Sequence, residues 1–237
     1  MIGSKDQLIL SDKTLNSHFA EAYRALRANI SFSSVDRPVK TVLVTSASPR
    51  EGKTTTVVNL GIIMAQAGHR VLLIDTDLRH PTIHRVLGIS SNGHRALPGL
   101  SNVIVGRAAL DDVILPSGFP NVELVPAGTL PPNPSELLGS KRLRAMLTEL
   151  SERVDFIILD SPPCVLYADA LVLSVATDGV LYVLRAGSHD KTAQRRVMKQ
   201  LQQAKARLLG VVFNDVEVDE AASTYSYYYP TRNKNRD

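Results

Sequence analysis

Apolar residues are concentrated in five short runs, separated by longer segments of mixed polarity. Within each run the apolar positions are consecutive rather than alternating, which is typical of strands buried on both faces of a parallel sheet. The pattern predicts strands at residues 41–45, 71–75, 156–160, 179–184 and 209–213.

The segments between these runs show helical spacing of apolar residues and contain few helix breakers. They predict helices at residues 53–67, 135–151, 168–177 and 190–207. Alternating strands and helices build right-handed βαβ units with helices on both faces of the sheet. We therefore expect an α/β fold with one doubly wound, mostly parallel sheet over residues 38–216. A loop rich in proline at residues 126–134 should end at Ser135, the expected N-cap of the next helix.

Two flanking segments fall outside this alternation. Apolar side chains from Phe19 to Ile30 recur at helical spacing, so residues 15–33 of the N-terminal segment 1–37 should form an amphipathic helix. The C-terminal segment 217–237 has no apolar periodicity and is expected to be a flexible tail.

Composition narrows the possibilities only moderately. Hydrophobic residues make up 44% of the chain and charged residues 21%, which excludes a chain that is disordered along its whole length. The single cysteine, Cys164, excludes an internal disulfide and a cysteine-based metal site, and it fits a reducing compartment. No apolar run approaches the roughly 18–20 residues of a membrane-spanning helix, and the first residues are too polar for a secretory signal. The net charge of +4 is a mild excess that neither requires nor excludes an acidic partner such as nucleic acid or a nucleotide.

The strongest chemical signal is the sequence ASPREGKT at residues 47–54, between a predicted strand and a predicted helix. It matches the P-loop pattern G-x-x-x-x-G-K-[ST], except that Ala47 replaces the first glycine. Phosphates are bound by backbone amides at a helix N-terminus, and Gly52, Lys53 and Thr54 add close approach, positive charge and a hydroxyl for Mg²⁺. A chance Gly-Lys-Thr at a helix start is the alternative. The predicted nucleotide contacts are Ser48, Pro49, Arg50, Glu51, Gly52, Lys53, Thr54 and Thr55.

Two predicted strands end in acidic residues, at the edge where an open parallel sheet binds its ligand. Asp160 resembles a Walker B carboxylate that holds Mg²⁺. Asp75 and Asp77 are two residues apart at a strand end, so they should point to the same side, where one of them could accept a proton. Alternatively, Asp77 caps the next turn and only Asp75 serves the metal.

These elements together resemble the deviant-Walker branch of the P-loop proteins, and the following residues distinguish among its families. Residues 75–84 (DTDLRHPTIH), 99–106 (GLSNVIVG), 125–139 (VPAGTLPPNPSELLG) and 159–163 (LDSPP) are similar to segments of the bacterial tyrosine kinases of capsule and exopolysaccharide assembly. The partition ATPases of the same branch usually carry an extra lysine early in the P-loop, and this chain has none there.

The resemblance implies an enzyme that uses ATP and Mg²⁺ to phosphorylate protein tyrosines. Lys53 would hold the β- and γ-phosphates, Thr54 and Asp160 would organise Mg²⁺, and Asp75 and Asp77 would complete the metal shell and activate the tyrosine hydroxyl. The catalytic residues would thus be Lys53, Asp75, Asp77 and Asp160, and the metal ligands Thr54, Asp75 and Asp160.

Asn214 follows the last predicted strand. Related P-loop folds read the adenine edge at this place, and the Asn214 amide could pair with the base. Turn formation by the Asn-Asp dipeptide is the competing interpretation.

Four of the seven tyrosines lie close together in the tail. In a mobile terminus such a cluster suggests a substrate, and the resemblance implies that these are the phosphoacceptors. An aromatic patch that docks on a partner is the alternative. The four residues are Tyr225, Tyr227, Tyr228 and Tyr229.

Glu21, Arg24 and Arg27 occupy one side of the predicted N-terminal helix. Taken alone, such a pattern is usually a solvated face. It matches the Glu-x-x-Arg-x-x-Arg element through which these kinases form rings, so the resemblance implies a homo-oligomer in which one copy phosphorylates the tail of the next.

The resemblance also implies partners and a location. We expect a membrane-embedded activator of the polysaccharide co-polymerase kind, a cognate tyrosine phosphatase, and a cytoplasmic chain held at the inner face of the membrane through its partner. The predicted basic helix at 190–207 has no interleaved aromatic residues, so we expect no nucleic acid. The function expected is regulation of capsular or exopolysaccharide synthesis by autophosphorylation in trans. The main rival is an ATPase switch of the partition or division type without kinase activity.

Overall fold

The computed structural model describes residues 9–11, 14–33, 37–90, 97–188 and 190–216. These residues form one sheet of seven strands in the order β3-β4-β2-β5-β1-β6-β7, in which only β3 runs antiparallel to its neighbour. The strands are β1 Thr41–Ser46, β2 Val71–Asp75, β3 Leu115–Pro116, β4 Val122–Val125, β5 Phe156–Asp160, β6 Gly179–Arg185 and β7 Leu208–Asn214. The doubly wound, mostly parallel sheet predicted from the sequence is confirmed.

Helices cover both faces of this sheet. They are α1 His18–Ser33, α2 Lys53–Gln66, α3 Ile83–Val86, α4 Leu100–Ile104, α5 Pro134–Leu138, α6 Lys141–Arg153, α7 Asp169–Ser174 and α8 Lys191–Gln203, with a 3-10 turn at Asp111–Val113. Helices α1 to α3 contribute to the apolar core on one face, and α4 to α8 contribute to the core on the other. No helix in the described part of the chain is long and apolar enough to cross a membrane.

The apolar runs form strands because they are buried on both sides. All residues of β1 and β2 are buried, as consecutive apolar positions require when helices cover both faces. Strand β4 was missed: the exposed Glu123 interrupts its buried residues Val122, Leu124 and Val125, so the apolar run is too short to stand out.

The helix predicted at residues 135–151 is in fact two helices. Helix α5 begins at Pro134, so the prediction of Ser135 as an N-cap is wrong, and the Ser135 hydroxyl instead donates to Asp169 Oδ1. Helix α6 begins after Ser140, whose Oγ accepts from the Leu143 amide at 3.2 Å. The serine that caps a helix in this region is therefore Ser140, at the start of α6, and not the predicted Ser135.

Helix α1 packs on the same domain as the sheet. Its residues Ala20, Tyr23 and Ile30 are buried in the core formed with α2. The backbone amide of Leu10, ahead of the helix, donates to Asn59 Oδ1 of α2 at 2.8 Å. The predicted amphipathic stripe of the N-terminal segment therefore faces α2.

Parallel register brings the ends of four strands to one edge of the sheet. Asp75 at the end of β2 lies opposite Asp160 at the end of β5, and Val44 of β1 also lies opposite Asp160. The segment after β1 leads into α2, and β7 ends at Asn214. This edge carries the predicted phosphate site and its carboxylates.

Candidate active site

The P-loop turns into α2 at Gly52, which has a φ of 96°. This left-handed backbone conformation favours glycine, and a Cβ at Gly52 would lie 1.9 Å from Asn214 Nδ2. The loop residue Arg50 also has a positive φ, of 61°. The chain thereby presents the start of α2, beginning with Lys53, to the edge of the sheet. Such a helix start offers free backbone amides to an anion.

Asp160 is a buried carboxylate at the edge of the sheet that carries the P-loop. Thr54 Oγ1 donates to Asp160 Oδ2 at 2.6 Å, whereas the buried Oδ1 has no hydrogen-bond partner. Burial raises the pKa of Asp160 to about 7, although the Thr54 hydrogen bond and the Lys53 charge oppose this rise. One oxygen of this carboxylate therefore lies buried and unpaired.

Asp75 lies beside Asp160 in the sheet and is fully buried. Its Oδ2 accepts from the backbone amides of Thr82 and Ile83, at 2.9 and 3.1 Å, at the start of α3. Burial raises the pKa of Asp75 well above its ordinary value, and the neighbouring Asp160 charge raises it further. The two carboxyl groups therefore share a desolvated site that disfavours two negative charges.

Asp77 caps the next turn, as the alternative interpretation expected. Its Oδ1 accepts from the backbone amides of Arg79 and His80, at 3.2 and 2.9 Å. The Asp77 amide donates to Asp75 Oδ1 at 3.2 Å, which joins the two acidic residues. Asp77 is half-buried, so it is the most accessible of the three carboxylates.

The residues present suit a hard divalent cation. A buried carboxylate oxygen without a partner, Asp160 Oδ1, and the Thr54 hydroxyl are oxygen donors of the kind that Mg²⁺ prefers. A cation here would also relieve the unfavourable charge on Asp75 and Asp160. Among the described residues no three His, Cys, Asp or Glu side chains form a metal cage, and Mg²⁺ usually takes most of its ligands from water and phosphates.

Asn214 contacts the P-loop itself. Its Nδ2 donates to the Glu51 carbonyl oxygen at 3.0 Å, next to Gly52. Asp215 follows with a φ of 57°, so the chain bends directly after the strand. One N–H of this amide is engaged with the P-loop, and the predicted contact between Asn214 and adenine stays a prediction.

A buried polar network behind the P-loop was missed in the sequence. Glu51 is 3% exposed, and its Oε1 accepts from Gln194 Nε2 of α8 at 3.0 Å. The Tyr182 hydroxyl in turn donates to Gln194 Oε1. Ser48, another predicted contact, donates its amide to Glu51 Oε2 at 3.4 Å. Glu51 therefore holds the loop against α8, a role that the P-loop pattern does not indicate.

A second missed group anchors the turn that contains Asp77. Arg79 Nε donates to Asp169 Oδ2 at 2.8 Å, and its guanidinium carbon lies 3.9 Å from the centroid of the Tyr167 ring. Asp169 is fully buried and also accepts from Ser135. Arg79 lay within the motif at residues 75–84, but nothing in the spacing indicated Asp169 as its partner.

The charged groups of α1 bind within their own chain. Arg24 Nη1 lies 2.9 Å from Glu21 Oε2, and Arg24 Nη2 donates to the Leu15 carbonyl at 2.7 Å. Arg27 Nη1 donates to the Ile63 carbonyl of α2 at 3.3 Å. The predicted acceptors Tyr225, Tyr227, Tyr228 and Tyr229 lie outside the described residues.

Comparisons with known proteins identify the relatives of this chain. Residues 40–213 match the family AAA_31, described as an AAA domain. The chain is 38% identical over 216 residues to the tyrosine-protein kinase YwqD of Bacillus subtilis (strain 168), covering 91% of this chain and 87% of that protein.

Solved structures extend the similarity to the fold. The kinase domain of the Escherichia coli tyrosine kinase ETK has a TM-score of 0.80 and 31% identity, with 93% of this chain and 86% of that chain covered. The septum site-determining protein MinD of Pyrococcus horikoshii OT3, complexed with Mg-ADP, has a TM-score of 0.61 and 24% identity over 77% of this chain and 75% of that one. The MinD likeness shows the fold alone, whereas the P-loop and the AAA match imply nucleotide binding.

Proposed function

The chain belongs to the bacterial tyrosine-kinase family, and we propose that it transfers the γ-phosphate of ATP to tyrosine hydroxyls, including those of its own C-terminal segment. In this proposal it regulates the synthesis or export of a capsular or extracellular polysaccharide. The observation that carries the proposal is the contact between Thr54 and Asp160, with the unpaired Asp160 Oδ1 beside Asp75. This arrangement suits a Mg²⁺-bound triphosphate.

The P-loop residues hold the phosphates in this mechanism. The Lys53 ammonium and the amides at the start of α2 neutralise charge on the β- and γ-phosphates. Thr54, Asp75 and Asp160 would hold Mg²⁺, which when bound supplies positive charge to the transferring group. Gly52 allows the close approach of the loop backbone to the phosphates.

Asp77 is the best-placed proton acceptor among the three carboxylates. It is the least buried, and Arg79 and His80 hold it through their backbone amides. A tyrosine hydroxyl has a pKa of about 10 and needs a base to become a good nucleophile at neutral pH. Asp77 takes the proton as the tyrosine oxygen bonds to the γ-phosphorus and the bond to the β–γ bridging oxygen breaks, which releases ADP.

Transfer between copies is part of the proposal. Tyr225 follows Val216 by nine residues, and that length of chain extends to ~30 Å at most. Strand β7 lies three strand spacings of ~4.8 Å from β5, so chain length alone permits transfer within one copy as well. We infer transfer between copies from the motif of Glu21, Arg24 and Arg27, which is exposed or half-exposed and available to a neighbouring copy.

Partners and location follow from the same family membership. We propose that a membrane-embedded activator binds near the nucleotide site, that a tyrosine phosphatase reverses the modification, and that the chain acts at the inner face of the cell membrane through its activator. The predicted divisions at residues 1–37, 38–216 and 217–237 would serve assembly, catalysis and phosphate acceptance, respectively.

Intact-mass measurement after incubation with ATP and Mg²⁺ tests the kinase proposal. The wild-type chain should gain one or more phosphates, and Lys53→Met should gain none while keeping its melting temperature. The rival, a partition or division ATPase switch, predicts ATP hydrolysis without any gain of mass. Phosphate on Lys53→Met at the wild-type rate would contradict the P-loop assignment.

A further inference from the structure

The loop after β5 has a fixed backbone and exposed apolar side chains. The amide of Cys164 donates to the Ser46 carbonyl at 2.9 Å, and the amide of Val165 donates to the Ala47 carbonyl at 3.2 Å. Yet Val165 is 38% exposed and Leu166 is 54% exposed. Because the backbone is bonded to the beginning of the P-loop, this exposure is not the result of a loose loop.

The same loop is joined to the proposed proton acceptor. The ring of Tyr167, next to Leu166, lies 3.9 Å below the guanidinium carbon of Arg79, and the amide of Arg79 donates to Asp77 Oδ1 at 3.2 Å. The bond from Arg79 to the buried Asp169 holds this link in place. The loop that carries the exposed apolar pair is therefore linked through Tyr167 and Arg79 to the turn that carries Asp77.

The loop that carries Val165 and Leu166 lies away from the side of the sheet where Asn214 is predicted to contact adenine. Strand β5 lies between β2 and β1, so the loop begins among the carboxylates. The exposed Phe213 at the same edge lies on β7, next to Asn214 and two strands away from β1. Val165 and Leu166 are the adjacent pair among the exposed large hydrophobic residues on the carboxylate side.

We propose that Val165, Leu166 and the half-buried Tyr167 form the docking surface for the acceptor tyrosine segment, residues 221–231 of a second copy. The inference rests on the proposed function. That segment contains no charged residue, so ion pairs cannot select it, whereas its tyrosine rings can bury apolar area against this loop at low entropic cost. A phosphate adds about −1.5 to −2 charges, which suits neither an apolar surface nor neighbouring carboxylates, so the modified segment would leave.

Steady-state kinetics with a synthetic peptide of residues 221–231 test this surface. The enzyme is the full chain with Tyr225, Tyr227, Tyr228 and Tyr229 changed to Phe, which removes its own acceptors. Leu166→Ser in this background should raise the KM for the peptide about tenfold and leave the Kd for ATP unchanged. Val175→Ser, at a residue that is 55% exposed at the far end of α7, is the matched control and should leave both constants unchanged.

Failure of the docking surface and failure of the proposed kinase activity give different results. A peptide KM that stays the same in Leu166→Ser, or that rises equally in Val175→Ser, overturns the docking surface while the kinase remains. No phosphorylation of any tyrosine peptide by the parent enzyme overturns the proposed function and the docking surface with it.

Discussion

At the scale of single residues, Asp160 makes the folded chain less stable than it would be without this carboxylate. The group is 1% exposed, and burial raises its pKa to about 7, against about 3.9 in an unfolded chain. Between these values the folded protein holds a proton that the unfolded chain has released. Stability therefore falls as the pH rises from about 4 to 7 and then stays level, so far as this group is concerned.

Asp160→Asn should therefore stabilise the nucleotide-free chain at pH 8, by on the order of 2 kcal/mol. At pH 5, early in that fall, the difference should be smaller, and it should vanish only below about pH 4, where the unfolded chain is protonated as well. Calorimetry at both pH values measures this, and Mg²⁺ with ATP should stabilise only the wild type. Asp178→Asn is the control and should not stabilise the chain at pH 8, because Asp178 accepts three hydrogen bonds from Lys40 and Thr41. An Asp160→Asn variant that melts below the wild type at pH 8 would contradict the interpretation.

Asp169 is linked to Asp77 through Arg79, so we expect it to act as a positioning residue. Asp169→Asn should lower kcat about tenfold, because the turn that holds Asp77 loses its anchor, while the Kd for ATP should stay within about twofold. Comparison of kcat with ATP binding separates this effect from general damage. Asp111→Asn, which removes a partner from the exposed Arg153 pair, is the matched control. Equal losses in both variants would contradict a special role for Asp169.

At the scale of elements, the P-loop and β7 are held against one another. A methyl group at Gly52 would collide with Asn214 Nδ2 and would also strain a φ of 96°. Gly52→Ala should therefore weaken ATP binding by at least about tenfold, as measured by calorimetric titration. Adding Asn214→Gly should restore part of the affinity, because it removes the collision but not the strain. No recovery in the double variant would indicate that backbone strain alone is responsible.

The central strands could be predicted because a strand that is buried on both faces consists of consecutive apolar residues. Strands β1, β2 and β5 are buried on both faces, and the position of the carboxylates at the ends of β2 and β5 follows from the direction of the strands. Thr54 and Asp160 were predicted to act together, and the structure joins them by a hydrogen bond of 2.6 Å.

The edge of the sheet and the connections between distant segments could not be predicted. Strand β4 has only four residues, and its exposed Glu123 leaves too short a pattern to distinguish from a loop. The contact from Arg79 to Asp169 joins residues 90 positions apart, and that from Glu51 to Gln194 joins residues 143 apart. Such pairings depend on the packing of helices, which local periodicity does not encode.

At the scale of the whole molecule, the proposed ring would use side chains of α1 that already have partners within the chain. Arg24 and Arg27 bind Glu21 and the Ile63 carbonyl within the chain, so pairing between copies would require at least some of these groups to exchange partners. An exposed ion pair contributes little by itself, but a ring repeats the contact at every interface.

Changing Glu21, Arg24 and Arg27 together to Ala should convert the proposed ring to monomers in multi-angle light scattering. The variant should stay folded, because the buried side chains of α1 are unchanged. Changing Glu149 and Arg153 to Ala removes a comparable surface pair on α6 and should leave the ring intact. A ring that survives the triple change would show that this motif does not build it.

A mixing experiment tests most directly whether this chain is a kinase for its own tyrosine cluster. One chain carries Lys53→Met with intact tyrosines, and the other has Tyr225, Tyr227, Tyr228 and Tyr229 changed to Phe. Neither should label itself, so after mixing with radiolabelled ATP and Mg²⁺ the label should appear only on the Lys53→Met chain. Label confined to the Phe chain, or ATP hydrolysis with no label at all, would contradict phosphorylation of the cluster between copies.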